Sequence, residues 1–415
     1  MSRLAALLAA IGLVSAAVGG AVVLHAPAET PPEEPPLYGT ADYTGLHEAG
    51  VTGENVTVGI VDPSGFDLQG AGYTDSVLAA QAFGDGKTLA NGGTNGHGTT
   101  VAETVTTVAP DSELYLAAFG DESDYRDALA WFAANDVDVV VLPTSFYGKS
   151  GDGTARSIRA TSRLARDTVV IAASGNLGES NWRGGYVPDE GSTMTVRNGG
   201  DPVTVEVSNG RVRLWLSWTP VDERYRFRLV RNGSTVATSE PYPGDSVPNH
   251  RIDAEVAGGT YEVVIDGPAN ATGTTLRLEA PGGRLENGQR EASLVAPATA
   301  RGVTVVGAYD AENGTVPTYS GVGPTADGRN GVDVIAPASP TMGGDTRSGT
   351  SYAAAYAAGV SALVMSADGS ADPTEVERAL ERSAVDLGPP GWDAENGHGL
   401  VDSPRAVAAV RSEGD

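Results

Sequence analysis

The chain contains no cysteine, which excludes disulfide bonds, a thiol nucleophile and cysteine-based zinc sites. Lysine is almost as scarce, since Lys87 and Lys149 are the only two lysines among 27 basic residues. The basic residues are outnumbered by 53 acidic ones, which gives a formal net charge of −26. Because nucleic-acid binding rests on basic patches, this charge argues against a nucleic-acid partner.

The same acidic, lysine-poor composition resembles that of proteins from salt-loving archaea, in which surface carboxylates hold water and ions. An ordinary acidic secreted protein is the alternative. Two lysines in 415 residues is an extreme value. We therefore expect a salt-adapted protein.

Charged residues are also missing from Leu4–Leu24, directly after Arg3. A membrane-spanning helix needs about 20 apolar residues, so we predict a signal anchor within residues 1–25, with the remainder outside the cell. A Pro/Glu-rich linker follows over residues 26–36. An A-x-A pattern ending at Ala28 also allows cleavage, which would make the protein secreted instead of bound to the extracellular face of the membrane.

Apolar strand-like runs alternate with helical segments over residues 37–180, and the alternation returns over residues 290–415. This rhythm, with its Val-rich runs, predicts an α/β fold with a mostly parallel sheet covered by helices on both faces. The strand candidates are Val56–Asp62, Glu113–Phe119, Asp138–Leu142, Thr168–Ala173, Val303–Ala308 and Val332–Ala336. The helix candidates are Thr99–Val108, Asp124–Ala134 and Ala155–Asp167, with later helices from Ser351, Pro373 and Pro404.

Residues 181–289 show a different pattern, in which apolar residues recur with period two. Turn pairs such as Asn232–Gly233 separate the runs. The runs are Val203–Val207, Val212–Trp218, Tyr225–Val230, Ile252–Val256, Tyr261–Ile265 and Thr274–Leu278. We predict an inserted all-β domain of the jelly-roll or sandwich kind, with a stabilising or positioning role.

Four motifs carry side chains suited to nucleophilic catalysis. Ser351 follows Gly-Thr at the start of a helix of small residues, where the helix end is positive and the hydroxyl is unhindered. Asp62 ends an apolar strand, His97 lies in a Gly-rich turn before a helix, and Asn176 follows another apolar strand. Taken singly, each is more often a capping or turn residue. Their joint order is what favours catalysis.

In the order Asp62, His97, Asn176, Ser351, these motifs resemble the subtilisin-like serine peptidases, the subtilases. The resemblance covers about Tyr38–Val410, apart from the insert, and implies a three-layer subtilisin-like domain. It implies a serine endopeptidase in which Ser351 is the nucleophile and His97 the general base. Asp62 would orient His97, and the Asn176 side chain would bind the oxyanion together with the Ser351 backbone N–H.

The segment after Asp138–Leu142 resembles the strand with which subtilases bind a peptide. The resemblance implies that Ser145, Phe146, Tyr147, Gly148 and Thr350 contact the substrate. An extended polypeptide would add there as a β-strand, read through its backbone.

Some features depart from the subtilase pattern. Pro63–Gly65 follows Asp62, where the family usually has Ser or Thr and then Gly, and Ala355 occupies the position of a common proline. The stretch between Leu24 and Asp62 has no room for the usual folding prodomain, so we expect folding without one. No motif predicts a metal site or a cofactor, structural calcium stays open, and we expect a monomer.

Two other function classes remain for comparison. A catalytically idle subtilase-like surface protein would bind partners through its β-insert, but the intact set of four catalytic groups argues against it. An α/β-hydrolase esterase is excluded because the chain lacks G-x-S-x-G and has the wrong triad order.

Overall fold

The computed structural model describes residues 43–69, 71–90, 96–189, 191–208, 210–243, 247–271, 273–342 and 345–413. The predicted anchor, Leu4–Leu24, and the linker over residues 26–36 lie outside these ranges. Within the described ranges, no helix is long and apolar enough to span a membrane. In the same part of the chain, no group of three or more His, Cys, Asp or Glu side chains is arranged to hold a metal ion.

The described elements agree in kind with the predicted ones, and most boundaries lie within a few residues of the prediction. The helices are α1 Tyr43–Glu48, α2 His97–Val108, α3 Glu122–Ala134, α4 Arg156–Leu164, α5 Thr350–Ala367, α6 Pro373–Ser383 and α7 Ser403–Glu413. The strands are β1 Thr57–Asp62, β2 Val77–Phe83, β3 Glu113–Phe119, β4 Val139–Leu142, β5 Val169–Ala173, β6 Asn181–Gly185, β7 Thr193–Thr195, β8 Arg197–Asn198, β9 Asp201–Pro202, β10 Thr204–Val207, β11 Arg211–Thr219, β12 Arg226–Arg231, β13 Ser234–Thr238, β14 Glu240–Pro241, β15 Asn249–Glu255, β16 Gly259–Asp266, β17 Thr275–Glu279, β18 Arg284–Glu286, β19 Thr304–Tyr309, β20 Val334–Pro337, β21 Thr341–Met342 and β22 Asp345–Thr346.

A seven-stranded sheet in the order β2-β3-β1-β4-β5-β19-β20 organises the α/β part, and every neighbouring pair is parallel. Both faces are buried, as the Val-rich runs predict. Val58 and Ile60 of β1 lie in the core shared with α2 and α5, whereas Val61 lies in the core shared with α3 and α4. The α/β fold with a parallel sheet is therefore confirmed.

The edge strand β2 was not predicted. Its side chains are half-buried or exposed, because one edge of the strand has no neighbour in the described sheet. Its sequence, VLAAQAF, is mostly apolar, but only the four residues Val77–Ala80 form a continuous apolar run.

Two antiparallel sheets lie between Asn181 and Glu286. One has the order β13-β12-β16-β10-β18 with β7 beside β16, and the other the order β14-β15-β11-β17-β6. Their facing sides share a core that contains Leu214, Leu216 and Trp218 of β11 and Phe227 and Leu229 of β12. The even-numbered residues of β11 therefore point into this core, and its odd-numbered residues point to the outer face of the second sheet.

Candidate active site

Three neighbouring strands of the parallel sheet deliver the predicted site residues to one edge. Asp62 is the last residue of β1, Pro143 follows β4, and Asn176 follows β5. Because β1, β4 and β5 are adjacent and parallel, their carboxyl ends lie side by side. Such edges hold the binding crevices of open α/β sheets.

Asp62 and His97 are in direct contact. The His97 Nδ1 atom lies 2.6 Å from Asp62 Oδ2, and Asp62 is fully buried while 28% of the His97 side chain is exposed. The second carboxylate oxygen of Asp62 accepts a 2.8 Å hydrogen bond from the Ser64 N–H. A proton held on Nδ1 by this carboxylate leaves Nε2 as the basic nitrogen of the imidazole.

The helices α2 and α5 bring His97 to the start of α5. His97 is the first residue of α2, and its ring centroid lies 5.5 Å from that of Tyr352 in the first turn of α5. Further along both helices, Gly359 lies against Val108, where a Cβ on residue 359 would come within 2.6 Å of the Val108 Cβ. The helices therefore run in the same direction, and both positive ends point at this edge.

Ser351 lies in the first turn of α5 and is 9% exposed. Its hydroxyl donates a 3.0 Å hydrogen bond to the carbonyl oxygen of Pro143. This bond ties the predicted nucleophile to the segment after β4, two residues before Ser145. The neighbouring phenol of Tyr352 is kept neutral, since burial raises its pKa above the ordinary value.

Asn176 is exposed and has a defined orientation. Gly175 precedes it with a φ of +96°, and a Cβ on residue 175 would lie 2.4 Å from Val295 Cγ2, so the turn requires glycine. The Asn176 Oδ1 atom accepts hydrogen bonds from the Thr350 N–H at 3.2 Å and the Thr350 hydroxyl at 2.9 Å. With its oxygen held in this way, Asn176 directs its NH₂ group away from Thr350.

Thr350, predicted to bind substrate, is 1% exposed and lies behind Asn176. Its hydroxyl oxygen also accepts a 3.2 Å hydrogen bond from the Gly175 N–H. The side chain therefore links the two segments that carry Asn176 and Ser351.

Of the four residues predicted after β4, three line a groove at the same edge. The groove encloses about 510 Å³ and is lined by Phe119, Gly120, Asp121, Glu122, Ser123, Arg126, Ser145, Phe146, Tyr147, Trp215, Tyr242 and Pro243. Gly148 is outside this lining. It is buried, and its N–H donates a 2.6 Å hydrogen bond to Glu279 Oε2.

Two groups beside the groove were missed in the sequence. Lys149 forms an ion pair with Glu122, with 2.5 Å between Nζ and Oε1 and only 4% of the lysine side chain exposed. Because the chain has only two lysines, each of them is a candidate for a specific structural role. Trp215 and Tyr242 come from the antiparallel sheets, and their position depends on how those sheets pack.

The two departures from the family pattern are accommodated locally. In the turn after Asp62, the Ser64 hydroxyl accepts a 3.0 Å hydrogen bond from the Gly98 N–H, and Lys87 donates to the carbonyl of Pro63. Ala355 is fully buried in the core around α5.

Comparison with known proteins relates this chain to subtilases. Residues 216–399 match the model of the Subtilase family, Peptidase_S8. Subtilisin DY of Bacillus licheniformis is 35% identical over 147 residues, which cover 32% of this chain and 51% of the relative. A subtilisin of Bacillus pumilus is 30% identical over 167 residues, covering 36% of this chain and 54% of the relative. The chain thus spans about half the length of these curated relatives.

Solved structures match over a larger share of the chain. The CspB protease of Clostridium perfringens has a TM-score of 0.67 and 16% identity, with 89% of this chain and 96% of that one covered. A lanthipeptide protease has a TM-score of 0.51 and 18% identity, with 88% and 91% covered. At these identities the likeness establishes the fold. The chain has a subtilisin-like fold, and its partial match to the Subtilase family agrees with that fold.

Proposed function

We propose that this chain hydrolyses peptide bonds as a serine endopeptidase through an acyl-enzyme. The observation that carries the proposal is the 2.6 Å contact between Asp62 and His97 beside the first turn of α5, which bears Ser351. These groups supply a base, a group that orients the base, and a hydroxyl nucleophile.

In this mechanism Ser351 Oγ attacks the carbonyl carbon of the scissile bond while His97 Nε2 takes its proton. Asp62 stabilises the resulting imidazolium through Nδ1. The tetrahedral intermediate collapses when His97 returns the proton to the leaving amine, and water then cleaves the ester by the same steps. Asn176 and the Ser351 N–H donate to the oxyanion, which lies at the positive end of α5.

The substrate is an extended polypeptide that lies along Ser145–Tyr147. These residues follow the carbonyl that the nucleophile contacts, which supports a scissile bond at the start of this segment. Thr350 acts as a positioning residue that holds the Asn176 amide. The enzyme works as a monomer, and neither nucleic acid nor a cofactor takes part.

The chain is divided into catalytic halves at residues 37–180 and 290–415, with a β-sandwich inserted over residues 181–289. The two antiparallel sheets with a core of their own support this division. The enzyme is salt-adapted and held on the extracellular face of the membrane by Leu4–Leu24. Mass spectrometry of the mature N-terminus tests the anchor, and a terminus just after Ala28 would instead show a cleaved, secreted form.

Labelling with a serine-directed fluorophosphonate in high salt tests the activity. We expect one labelled residue, Ser351, and no labelling in Ser351→Ala. Ser348→Ala is the matched control, since Ser348 is an exposed serine in the same segment and should leave labelling intact. Equal labelling of wild type and Ser351→Ala would reject the assignment. A chain that is neither labelled nor active would favour the idle binding protein.

A further inference from the structure

The second antiparallel sheet, in the order β14-β15-β11-β17-β6, turns its outer face toward the segment that follows β4. The alternation on β11 shows this, because Arg213 is exposed whereas Trp215, on the same outer face, is only 6% exposed. A buried tryptophan outside the core of its own sheets must be covered by another part of the chain. Tyr147 covers it, with the two ring centroids 5.1 Å apart.

Polar contacts fix the same face to the backbone of Gly148. Its N–H donates to Glu279 of β17 at 2.6 Å, and its carbonyl accepts from the Asn249 side chain of β15 at 3.3 Å. Both residues neighbour β11 positions in the sheet register, since Glu279 pairs with Trp215 and Asn249 with Ser217. The position of the sheet is therefore specified at Gly148, directly after Tyr147, so Trp215 is held beside the groove.

Tyr242 extends the wall that Trp215 begins. The two rings meet edge to face with centroids 6.0 Å apart, and the Arg251 guanidinium lies 5.7 Å from the Trp215 ring and 4.6 Å from the Tyr242 ring. Tyr242 is half-buried and faces the groove that Ser145 and Tyr147 line from the other side.

We propose that Trp215 and Tyr242 of the inserted sheets are specificity-determining residues, and that their wall selects an aromatic or large aliphatic side chain of the substrate on the acyl side of the scissile bond. The inference rests on the proposed peptidase function. The groove also takes Phe119 and Phe146 from the α/β part, so apolar surface borders it on both sides.

The two acidic residues that line the groove agree with an apolar occupant. The carboxylate of Glu122 is paired with Lys149, and that of Asp121 caps α3 by accepting the N–H groups of Ser123 and Asp124. Both acids are thus committed to partners in the protein. One further observation points to the wall: the indole N–H of Trp215 is buried and has no acceptor among the described residues. Buried donors without an acceptor are rare in folded proteins.

The test compares matched quenched peptides that carry Phe, Leu, Ala or Asp at each of four positions upstream of the cleaved bond. In the full-length wild type, kcat/KM should favour Phe and Leu over Ala and Asp at one of these positions. Tyr242→Ala should reduce the ratio of kcat/KM for the Phe peptide to that for the Ala peptide about tenfold, the scale of one aromatic contact. Trp215→Leu should do the same.

Trp218→Leu is the matched control, because Trp218 lies on the same strand but points into the core between the sheets. It should lower stability and keep the preference. Loss of the preference in Trp218→Leu as well would show a general effect of disturbing the sheets and overturn the inference. A preference for Asp, or an unchanged preference in both wall variants, would also overturn it.

Binding separates this inference from the proposed activity. The affinity of the same peptides for full-length Ser351→Ala, measured by calorimetry, should show the Phe over Ala preference and lose it in Ser351→Ala/Tyr242→Ala. If nothing is cleaved but this pattern is found, the peptidase proposal fails and the groove assignment stands. Equal affinities for the Phe and Ala peptides would overturn the groove assignment, whether or not the wild type is active.

Discussion

Replacing Thr350 with valine removes one hydroxyl and keeps the shape of the side chain. That hydroxyl donates to Asn176 Oδ1 at 2.9 Å and accepts from the Gly175 N–H at 3.2 Å. A hydrogen bond of this kind is worth about 0.5–1.5 kcal/mol, and each 1.36 kcal/mol changes a rate tenfold. If Thr350 acts by holding the Asn176 amide, kcat should fall about 2- to 10-fold. KM should hardly change, because Thr350 is buried and out of reach of a peptide.

A double-mutant cycle decides whether the effect passes through Asn176. Removing the corresponding donor in subtilisin lowers kcat by about 10²–10³, and we take that scale over for Asn176→Ala. In this background, Thr350→Val should cause no further loss of kcat. Thr350→Ser keeps the hydroxyl and should stay near wild type. Thr350→Val also leaves the Gly175 N–H without an acceptor, so denaturant unfolding should show a stability loss of about 1–3 kcal/mol.

Two results would contradict the prediction that Thr350 acts by holding the Asn176 amide. The same fold-loss of kcat from Thr350→Val with and without Asn176 would show that Thr350 acts independently of the amide. A raised KM with unchanged kcat would return Thr350 to the substrate-binding role that the sequence predicts.

Three further perturbations test the charges. Lys149→Ala should lower the free energy of unfolding in urea by about 3 kcal/mol because it leaves the Glu122 carboxylate unpaired, whereas Lys87→Ala should cost under about 1 kcal/mol; equal losses would contradict this. Burial raises the pKa of Asp333 to about 8, while an unfolded Asp titrates near ~4. Between these pH values the folded state binds the proton and the unfolded state does not, so stability falls as the pH rises through this window. The melting temperature of Asp333→Asn should therefore fall less than that of wild type between pH ~4 and ~8, and parallel curves would rule the assignment out. With a charge of −26, the melting temperature should rise from ~0.1 to ~3 M NaCl more than in sucrose of matched water activity; a flat or falling curve would reject salt adaptation.

The positions of Asp62 and Asn176 were predictable because a parallel sheet collects the carboxyl ends of its strands at one edge. Val58–Val61 before Asp62 and Val169–Ala173 before Asn176 are apolar runs, and such runs indicate strands buried on both faces. Once the strands are placed, a polar residue directly after each must lie at that edge. Local sequence therefore predicts where Asp62 and Asn176 lie in the fold, while their catalytic roles stay a prediction.

The roles of Thr350, Gly148 and Trp215 were not predictable in this way. Whether the Thr350 hydroxyl points to a peptide or to Asn176 depends on how α5 meets the segment after β5, far away in the chain. The Gly148 N–H donates a hydrogen bond to Glu279, which is 131 residues away in the chain. Trp215 is buried because the outer face of its sheet packs on the segment after β4. Period-two alternation predicts on which face of the sheet a residue lies, but it does not predict which part of the chain covers that face.

The acidic side chains that line the groove have partners in the protein, although the chain as a whole is strongly acidic. The chain carries a large negative charge, yet the acids that line the groove are Asp121, bonded to the first turn of α3, and Glu122, bonded to Lys149. Arg126 lines the same groove and Arg251 lies over its aromatic wall. The acids of the groove are therefore compensated locally, whereas surface carboxylates without a basic partner depend on salt for screening. Salt should act on the stability of this protein through its outer surface, and substrate selection should follow from the apolar wall that we propose for Trp215 and Tyr242.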